Sequence, residues 1–281
     1  MTSVVSGSRC GVLGDPIEHS LSPVLHRAGY RAVGLDWSYD AHRVTSGGLP
    51  DFLAERDEAL RGLSLTMPLK REALGLVDRV SSTARAAGAV NTVLFEPDGS
   101  ISGDNTDLPG AVAAIRERWS GPLRSATILG GGATATSVGL ALCDMGVTEI
   151  RVLVRTPERA TETVESLQAH PSAPHVQVGL LGEPEGEVGD IVVSTIPADA
   201  QTSALVEAVA SAPCLFDVIY DPWPTPLASA ASGTVVSGLD LLVHQAALQF
   251  TLFTGLGAPL EQMRAAGEQA LAERHRPGAT A

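Results

Sequence analysis

The sequence predicts a two-domain α/β protein, with a doubly wound sheet in its second half. The chain has 281 residues, enough for two modest domains. Short apolar runs rich in β-branched residues alternate with segments of helical period along nearly the whole chain, and the alternation is sharper from Ala126 onward. Repeated strand–helix units of this kind predict a mostly parallel sheet covered on both faces.

The first domain is expected over residues 1–107, completed by the last helices in residues 240–281. Its predicted strands lie at residues 10–14, 37–44 and 62–68, and residues 89–104 predict a hairpin turned at Pro97, Asp98 and Gly99. Helices are predicted at Pro23–Leu35 and Lys70–Val77.

The second domain is expected over residues 108–239, beginning with a helix from Leu108 to about Trp119. Asp107 suits the N-cap of that helix and Pro109 its first turn. Further helices are predicted at Thr134–Met145, Pro157–Gln168 and Ala200–Ala210. Strands are predicted at residues 126–130, 149–155, 176–181, 190–196, 214–220 and 234–238.

Charge and composition narrow the class of partner. The net charge of −13 argues against nucleic acid or an anionic membrane as a partner, because both require a cationic surface. Residues 241–260 carry no charge, but His244, Gln245 and Gln249 and the following glycines favour a buried helix over a membrane span. The N-terminus lacks the pattern of a signal peptide. We therefore expect a cytoplasmic protein, a monomer or homodimer, that acts on a small molecule.

Cysteine and histidine spacing gives no sign of a disulfide framework or a metal site. Cys10, Cys143 and Cys214 are far apart and form no CxxC pair, so we interpret them as buried packing residues. The seven histidines show no ligand spacing, and no metal is expected.

A glycine-rich turn between a predicted strand and a predicted helix indicates dinucleotide binding. The segment has the pattern G-x-G-x-x-A. Glycine at the first position allows a tight turn, glycine at the third allows the backbone to approach a pyrophosphate, and the alanine lets helix and strand pack closely. The pyrophosphate would bind the helix N-terminus, as in a Rossmann-type domain. The candidate cofactor residues are Gly130, Gly131, Gly132, Ala133, Thr134 and Ala135.

The end of the next predicted strand favours NADP(H) over NAD(H). NAD-binding domains place an acidic residue there to accept from the ribose 2′-hydroxyl. This chain has Val154 followed by Arg155, Thr156 and, three residues later, Arg159. Guanidinium groups form forked, charge-assisted contacts with phosphate oxygens, so these residues suit a 2′-phosphate. A loop arginine that is merely solvated is the alternative.

Five stretches, in order along nearly the whole chain, resemble the shikimate dehydrogenase family, which includes quinate/shikimate enzymes. They are residues 14–23 (GDPIEHSLSP), 64–70 (SLTMPLK), 88–92 (GAVNT), 103–107 (GDNTD) and 237–247 (SGLDLLVHQAA). The resemblance implies reversible NADPH-dependent reduction of 3-dehydroshikimate to shikimate, in aromatic amino-acid biosynthesis. It also implies an N-terminal α/β substrate domain and an NADP domain, with substrate in the cleft between them.

The resemblance further implies roles for particular residues. Lys70 and Asp107 correspond to the catalytic pair of the family. Ser64 stands where the family commonly has asparagine, and we keep it as a candidate substrate contact. Gly238 joins the candidate cofactor residues. The other candidate substrate contacts are Ser20, Ser22, Thr66, Asn91, Tyr220 and Gln245, and Asp107 also belongs to them.

The chemistry of these residue types fits the implied reaction. A ketone that receives a hydride needs a proton for the developing alkoxide, and the ammonium of Lys70 can donate one. Asp107 would hold that ammonium, and short polar side chains match a hydroxylated ring acid. Ser20 and Ser22 could both donate to one carboxylate if the local backbone is extended, since residues i and i+2 then share a face.

Several alternatives stay open on the sequence alone. Ser22 and Asp107 could be helix caps, and Asn91 could be a turn residue. The runner-up functions are an NAD-dependent quinate/shikimate dehydrogenase, a non-catalytic NADP-sensing relative, and a reductase for another small hydroxyacid. An acid at the end of the second nucleotide-binding strand would favour the first, and loss of Lys70 or Asp107 would favour the second.

Overall fold

The computed structural model describes residues 7–183 and 186–275, which form two compact units. The first unit contains the described residues of Met1–Arg85, Ala89–Thr106 and Leu242–Ala281. The second contains Ala86–Gly88 and the described residues of Asp107–Leu241.

The first unit is built on a mixed six-stranded sheet in the order β2-β1-β3-β5-β6-β4. β1 is parallel to β2 and β3, whereas β5 is antiparallel to both β3 and β6. The predicted hairpin is therefore confirmed as β5 and β6. The strands are β1 (Arg9–Gly14), β2 (Ser38–Arg43), β3 (Leu60–Leu65), β4 (Arg79–Val80), β5 (Thr92–Phe95) and β6 (Ile101–Asp104).

Helices cover this sheet, and two of them are too short to have been predicted from periodicity. The helices are α1 (Ser22–Ala32), α2 (Leu49–Ala54), α3 (Leu69–Glu72) and α4 (Ser82–Ala87), joined late in the chain by α10 (Gly238–Thr254) and α11 (Leu260–Arg274). α2 and α4 span six residues each, fewer than two turns. The helix predicted at Lys70–Val77 ends at Glu72 and continues as a short 3₁₀ helix.

The second unit contains a six-stranded parallel sheet in the order β12-β11-β10-β7-β8-β9. The chain first adds β8 and β9 on one side of β7 and then crosses to add β10, β11 and β12 on the other, which is the doubly wound order of a Rossmann-type domain. The strands are β7 (Ser125–Leu129), β8 (Glu149–Val154), β9 (His175–Leu180), β10 (Ile191–Ser194), β11 (Cys214–Asp217) and β12 (Thr234–Val236).

Alternate residues of these strands enter two cores, because successive side chains of a strand point to opposite faces. Ile128 and Val152 pack with α5 and α6, whereas Leu129 and Leu153 pack with α8 and α9. α5 begins at Asp107, which is therefore its first helical residue and not a residue outside it. The helices are α5 (Asp107–Arg118), α6 (Ala133–Asp144), α7 (Thr161–Gln168), α8 (Ser203–Val209) and α9 (Pro226–Ala230).

No helix within the described residues is both long enough and apolar enough to cross a membrane. The uncharged stretch that begins at Leu241 lies mainly in α10, which ends at Thr254. The three cysteines are buried, as interpreted from their spacing.

His26 on α1 is a buried histidine inside the first unit. Its ring is fully buried and stacks on Tyr39, with ring centroids 4.2 Å apart and planes 5° from parallel. Neither ring nitrogen has a hydrogen-bond partner among the described residues. Burial lowers the pKa of His26 to about 3, so the imidazole is neutral in the folded protein at neutral pH.

This burial predicts a stability that falls in mild acid. The pKa of His26 lies below the value of about 6.5 of an unfolded histidine, so its stabilising contribution is complete above pH ~6.5 and is lost as pH falls towards 3. His26→Phe keeps a stacked ring and removes the titration. Between pH 6 and 4 the wild-type free energy of unfolding should fall faster than that of the variant, by up to ~1.4 kcal/mol per pH unit.

The measurement is urea unfolding at pH 7, 6, 5 and 4. His175 is exposed and paired with Glu149, so His175→Phe serves as a control that should retain most of the wild-type pH dependence. Parallel stability curves for the wild type and His26→Phe would contradict a neutral, buried imidazole.

Candidate functional site

Backbone hydrogen bonds bring several predicted site residues together at one edge of the first sheet. The N–H of Leu65, the last residue of β3, donates to the carbonyl of Asn91 at 2.7 Å, and Thr66 follows directly. The N–H of Val90 donates to the carbonyl of Lys70, also at 2.7 Å. Thr66, Lys70 and Asn91 are thus held close to one another by the main chain.

Ser20 and Ser22 lie in the segment that follows β1 and are also close together. Leu21 between them has φ −89° and ψ −5°, which is helical, so the condition of an extended backbone is not met. Instead, the N–H of Ser22 donates to Oγ of Ser20 at 3.3 Å. Leu21 occupies the N-cap position of α1 and Ser22 is the first helical residue, so Ser22 is not the cap.

The side chain of Asn91 is buried and has a defined orientation. Its Oδ1 accepts from the backbone N–H of Thr106 at 2.8 Å and from the hydroxyl of Thr92 at 2.8 Å. Its Nδ2 donates to Oγ1 of Thr106 at 3.0 Å. Asp107 follows directly after Thr106 and is 5% exposed. Asn91 is therefore a structural anchor for the end of this hairpin, in addition to being a candidate ligand.

Ser64 is 4% exposed, and its hydroxyl proton has a partner inside the protein. Its Oγ accepts from the Tyr39 hydroxyl at 2.6 Å and donates to Oε1 of Gln249 at 2.7 Å. A serine hydroxyl carries one proton, so in this arrangement Ser64 can offer a ligand only an acceptor. Its role as a substrate contact stays a prediction.

The two glutamines of α10 differ in what they bind. Gln245 is nearly buried, and its Nε2 donates to the carbonyl of Leu242 in its own helix. Gln249 was not predicted as a site residue. It is one turn further along the helix, so it shares a face with Gln245, and that spacing was the available signal.

Tyr220 lies in the second unit, in the loop that follows β11. Asp217 at the end of β11 is buried and accepts from the N–H of Ile219 at 3.2 Å, which holds this loop. Burial raises the pKa of the Asp217 carboxyl. A Cβ at Gly238 would overlap the carbonyl of Val218, so glycine there lets α10 begin against the loop. The prediction that Gly238 contacts a cofactor is separate from this packing role.

The three glycines of the turn after β7 meet different demands. Gly130 has φ +111°, and a Cβ there would also overlap the Thr195 hydroxyl. A Cβ at Gly131 would overlap the carbonyl of Arg159. A Cβ at Gly132 would meet no atom of the described residues within 4 Å. The first two glycines are required by the protein itself, whereas the space beside Gly132 is open for a ligand.

The geometry around this turn fits a bound dinucleotide pyrophosphate. α6 begins at Ala133, and its N-cap residue, Gly132, has no side chain to satisfy the first N–H groups of the helix. Thr134 is half-buried in this first turn, and Ala135 is fully buried, which permits close packing. The turn follows β7, and the chain reverses its direction of strand addition there, the place where doubly wound sheets bind ligands.

The segment after β8 presents basic side chains beside this turn. Arg155, Thr156 and Arg159 are exposed, and neither guanidinium forms an ion pair with a carboxylate of the described residues. The hydroxyl of Thr163 donates to the carbonyl of Gly131 at 3.0 Å, which ties the turn to the start of α7. This arrangement suits a phosphate at the ribose 2′ position.

Comparison with known proteins identifies the family. A family model described as the shikimate dehydrogenase substrate binding domain matches residues 12–93, and one described as the shikimate 5′-dehydrogenase C-terminal domain matches residues 238–266. The shikimate dehydrogenase (NADP(+)) of Methanosarcina acetivorans is 38% identical over 268 residues, 90% of this chain and 95% of that protein. The chain belongs to the shikimate dehydrogenase family. The resemblance seen in the five motifs is thereby confirmed.

Solved structures give the same result for the fold. A shikimate 5-dehydrogenase from Thermus thermophilus, in complex with NADP(H) and shikimate, has a TM-score of 0.82 at 33% identity and covers 94% of this chain and 99% of its own. A quinate dehydrogenase from Corynebacterium glutamicum, in complex with NAD, has a TM-score of 0.85 at 28% identity and covers 94% and 100%. The predicted fold of an α/β substrate domain and a Rossmann-type domain is confirmed.

The different roles of the glycines predict different outcomes for two alanine variants. Gly132→Ala should fold like the wild type, since the new methyl meets no described protein atom, but should weaken NADPH binding about tenfold or more, as expected for an overlap of ~1–3 kcal/mol. Gly131→Ala should lower the melting temperature, because its methyl would overlap the Arg159 carbonyl. Calorimetric titration with NADPH and thermal unfolding of both variants provide the test. Wild-type affinity in Gly132→Ala would mean that no ligand approaches this residue.

Proposed function

We propose that this chain is an NADP-dependent oxidoreductase that interconverts 3-dehydroshikimate and shikimate in the cytoplasm, as a monomer or homodimer. The observation that carries the proposal is the match over nearly the full length to relatives named shikimate dehydrogenase (NADP(+)), at 33–38% identity. The main-chain hydrogen bonds that hold Thr66, Lys70 and Asn91 close to one another support the proposal. The family contributes a step of aromatic amino-acid biosynthesis.

Reduction of the substrate ketone requires a hydride on carbon and a proton on oxygen. NADPH supplies the hydride when it is bound. Lys70 supplies the proton, because an ammonium group can act as a general acid and its neutral amine is still a hydrogen-bond partner afterwards. In the reverse direction the neutral amine of Lys70 accepts the proton of the substrate hydroxyl. Its main chain is fixed by the bond from Val90.

Asp107 is the second member of the catalytic pair. Its carboxylate holds the ammonium of Lys70 and accepts from a substrate hydroxyl. The preceding residue, Thr106, is tied by its N–H to Oδ1 of Asn91 at 2.8 Å, and this bond fixes the start of α5 where Asp107 stands. The two roles, helix start and catalytic carboxylate, are compatible.

The remaining candidate contacts distinguish a hydroxylated ring acid from simpler ketones. Ser20 and Ser22 are the proposed donors to the substrate carboxylate, since Oγ of Ser20 accepts from the N–H of Ser22 and its own hydroxyl proton can still be donated. Tyr220 is carried over from the family resemblance alone as a further contact of that carboxylate. Thr66, Asn91 and Gln245 bind ring hydroxyls, since hydroxyl and amide groups can both donate and accept. A binding site of this kind rejects analogues that lack a hydroxyl, because its own polar groups would then be left without partners.

Cofactor choice depends on the segment after β8. Arg155 and Arg159 would contact the 2′-phosphate of NADP(H), and Thr156 would add a hydroxyl donor. NAD-dependent quinate oxidation is the second candidate function, favoured by the similarity to the quinate dehydrogenase bound to NAD. The absence of an acidic residue directly after Val154 argues against it, because no carboxylate is then available at that place for a ribose 2′-hydroxyl.

The catalytic pair predicts a non-additive loss of turnover. Lys70→Met should lower kcat by ~10²–10⁴-fold with a much smaller change in KM for shikimate, since proton transfer occurs in the transition state. Asp107→Asn should also lower kcat, and the double variant should be scarcely worse than the worse single one. The assay is NADP⁺ reduction by shikimate, with NADPH binding and folding checked for each protein. Near-wild-type kcat in Lys70→Met would remove lysine from the chemical step.

The arginines predict a selective loss of NADPH binding. Each charge-assisted bond contributes ~1.5–3 kcal/mol, so Arg155→Ala should raise KM for NADPH about tenfold or more and leave KM for NADH nearly unchanged. Arg124→Ala, an exposed arginine elsewhere in the second unit, is the matched control and should change neither. Equal use of NADH and NADPH by the wild type would show that this segment does not select the cofactor.

A further inference from the structure

A continuous network of buried hydrogen bonds runs beneath the candidate substrate contacts of the first unit. The hydroxyl of Tyr39 donates to Ser64 at 2.6 Å, and Ser64 donates to Oε1 of Gln249 at 2.7 Å. Nε2 of Gln249 donates to Oγ1 of Thr92 at 3.0 Å, and Thr92 donates to Oδ1 of Asn91 at 2.8 Å. We call these five side chains the Tyr39–Asn91 network.

Every proton in the network points in one direction. Tyr39, Ser64 and Thr92 have one hydroxyl proton each, and each donates it to the next member. Gln249 uses its second amide proton on the backbone carbonyl of Asn91, at 3.1 Å. The side-chain oxygen and the main-chain carbonyl of Asn91 are therefore both held by the same chain of donors.

This direction fixes which side of the Asn91 amide accepts and which side donates. Rotation of the Asn91 amide by 180° would place Nδ2 against the N–H of Thr106, donor against donor, and would take the acceptor away from the Thr92 hydroxyl proton. Oδ1 is thereby held towards Thr92 and Thr106, and Nδ2 is the donating side of the amide, with Oγ1 of Thr106 as one of its acceptors. A substrate hydroxyl that contacts Nδ2 is then bound through its oxygen.

The burial of the network makes its members depend on one another. Tyr39 and Thr92 are completely buried, Gln249 and Asn91 are 1% exposed and Ser64 is 4% exposed. Loss of one hydroxyl or amide leaves its neighbour without a partner where water is excluded, and the neighbour then reorients to find another. A change far from Asn91 in the sequence can in this way alter the orientation of its amide.

We propose that Tyr39, Ser64, Gln249 and Thr92 are positioning residues for substrate recognition, which act through Asn91 and make no contact with substrate themselves. The proposal rests on the proposed function, because Asn91 is a substrate contact only if the chain binds the hydroxylated ring acid. It gives Ser64 a different role from the direct contact considered from the sequence. It also gives a role to Gln249, whose side chain lies outside the motif residues.

The decisive comparison is between two identical substitutions in the same unit. Thr92→Val removes a buried hydroxyl of the network, and Thr254→Val removes a buried hydroxyl of α10 that bonds only to the backbone, at Phe250 and Leu256. Thr92→Val should raise KM for shikimate about tenfold with kcat within about threefold of the wild type, as expected when binding is lost equally in ground and transition states. Thr254→Val should leave both constants unchanged, and Thr92→Ser should restore the wild-type KM.

A second set of variants tests the remote members of the network. Gln249→Met and Ser64→Ala should show the same selective rise in KM for shikimate, and Tyr39→Phe a smaller one, while KM for NADP⁺ stays constant in all three. A rise for Ser64→Ala alone, with Gln249→Met and Tyr39→Phe at wild-type KM, would overturn the proposal in favour of direct contact by Ser64. Wild-type KM in Thr92→Val would overturn it as well.

Failure of the proposed function and failure of the network to position Asn91 would give different measurements. A wild-type protein that neither oxidises shikimate nor binds it would remove the proposed function. An active wild type whose network variants lose thermal stability but keep the wild-type KM would leave the proposed function intact and show that the network is only structural.

Discussion

The antiparallel pairing of β5 with β3 is the constraint on which the first unit depends. In this pairing Thr92 lies opposite Ser64, so the start of β5 meets the end of β3. If β5 ran parallel to β3, Asn91 would lie at the opposite edge of the sheet, far from Thr66. β6 then returns to the same edge, and Asp104 lies opposite Thr92. One reversal of strand direction therefore brings together segments that carry three of the family motifs.

In the second unit, the order of the parallel strands determines where a ligand can bind. Its parallel strands end at one edge, and the point of reversal beside β7 leaves a crevice for a ligand. Two glycines of the turn are needed for packing against Thr195 and the Arg159 carbonyl, and the third leaves an open space. The sequence pattern already distinguished the turn glycine, Gly130, from the glycine expected to face the pyrophosphate, Gly132, and the structure adds that Gly131 is required for packing against the Arg159 carbonyl.

Much of this organisation could be predicted from the sequence, because hydrophobic periodicity reports the strands and the longer helices directly. The hairpin, the parallel strands of the second unit and α6 all follow from local patterns. The short helices α2 and α4 could not be predicted in this way, since a helix of fewer than two turns shows no detectable hydrophobic periodicity. The local geometry at Ser20 and Ser22 was left open by the sequence, because the helical backbone of Leu21 depends on where α1 begins.

The Tyr39–Asn91 network could not be predicted from any local sequence pattern. Its bond between Ser64 and Gln249 joins residues 185 positions apart, on β3 and α10. Gln249 was visible in the sequence only as a polar residue of an uncharged stretch, one helical turn after Gln245. The packing of the late helix α10 against the early sheet is what gives it partners, and this is a property of the folded unit.

The central claim is that the chain is specific for shikimate and NADP(H), and initial rates with purified wild-type protein test it most directly. Shikimate or quinate should each be assayed with NADP⁺ or NAD⁺, in all four combinations, at equal protein concentration. We expect the highest kcat/KM for shikimate with NADP⁺ and a value at least about tenfold lower with NAD⁺, which corresponds to one lost charge-assisted phosphate contact. A higher kcat/KM for quinate with NAD⁺, or no turnover in any combination, would contradict the account.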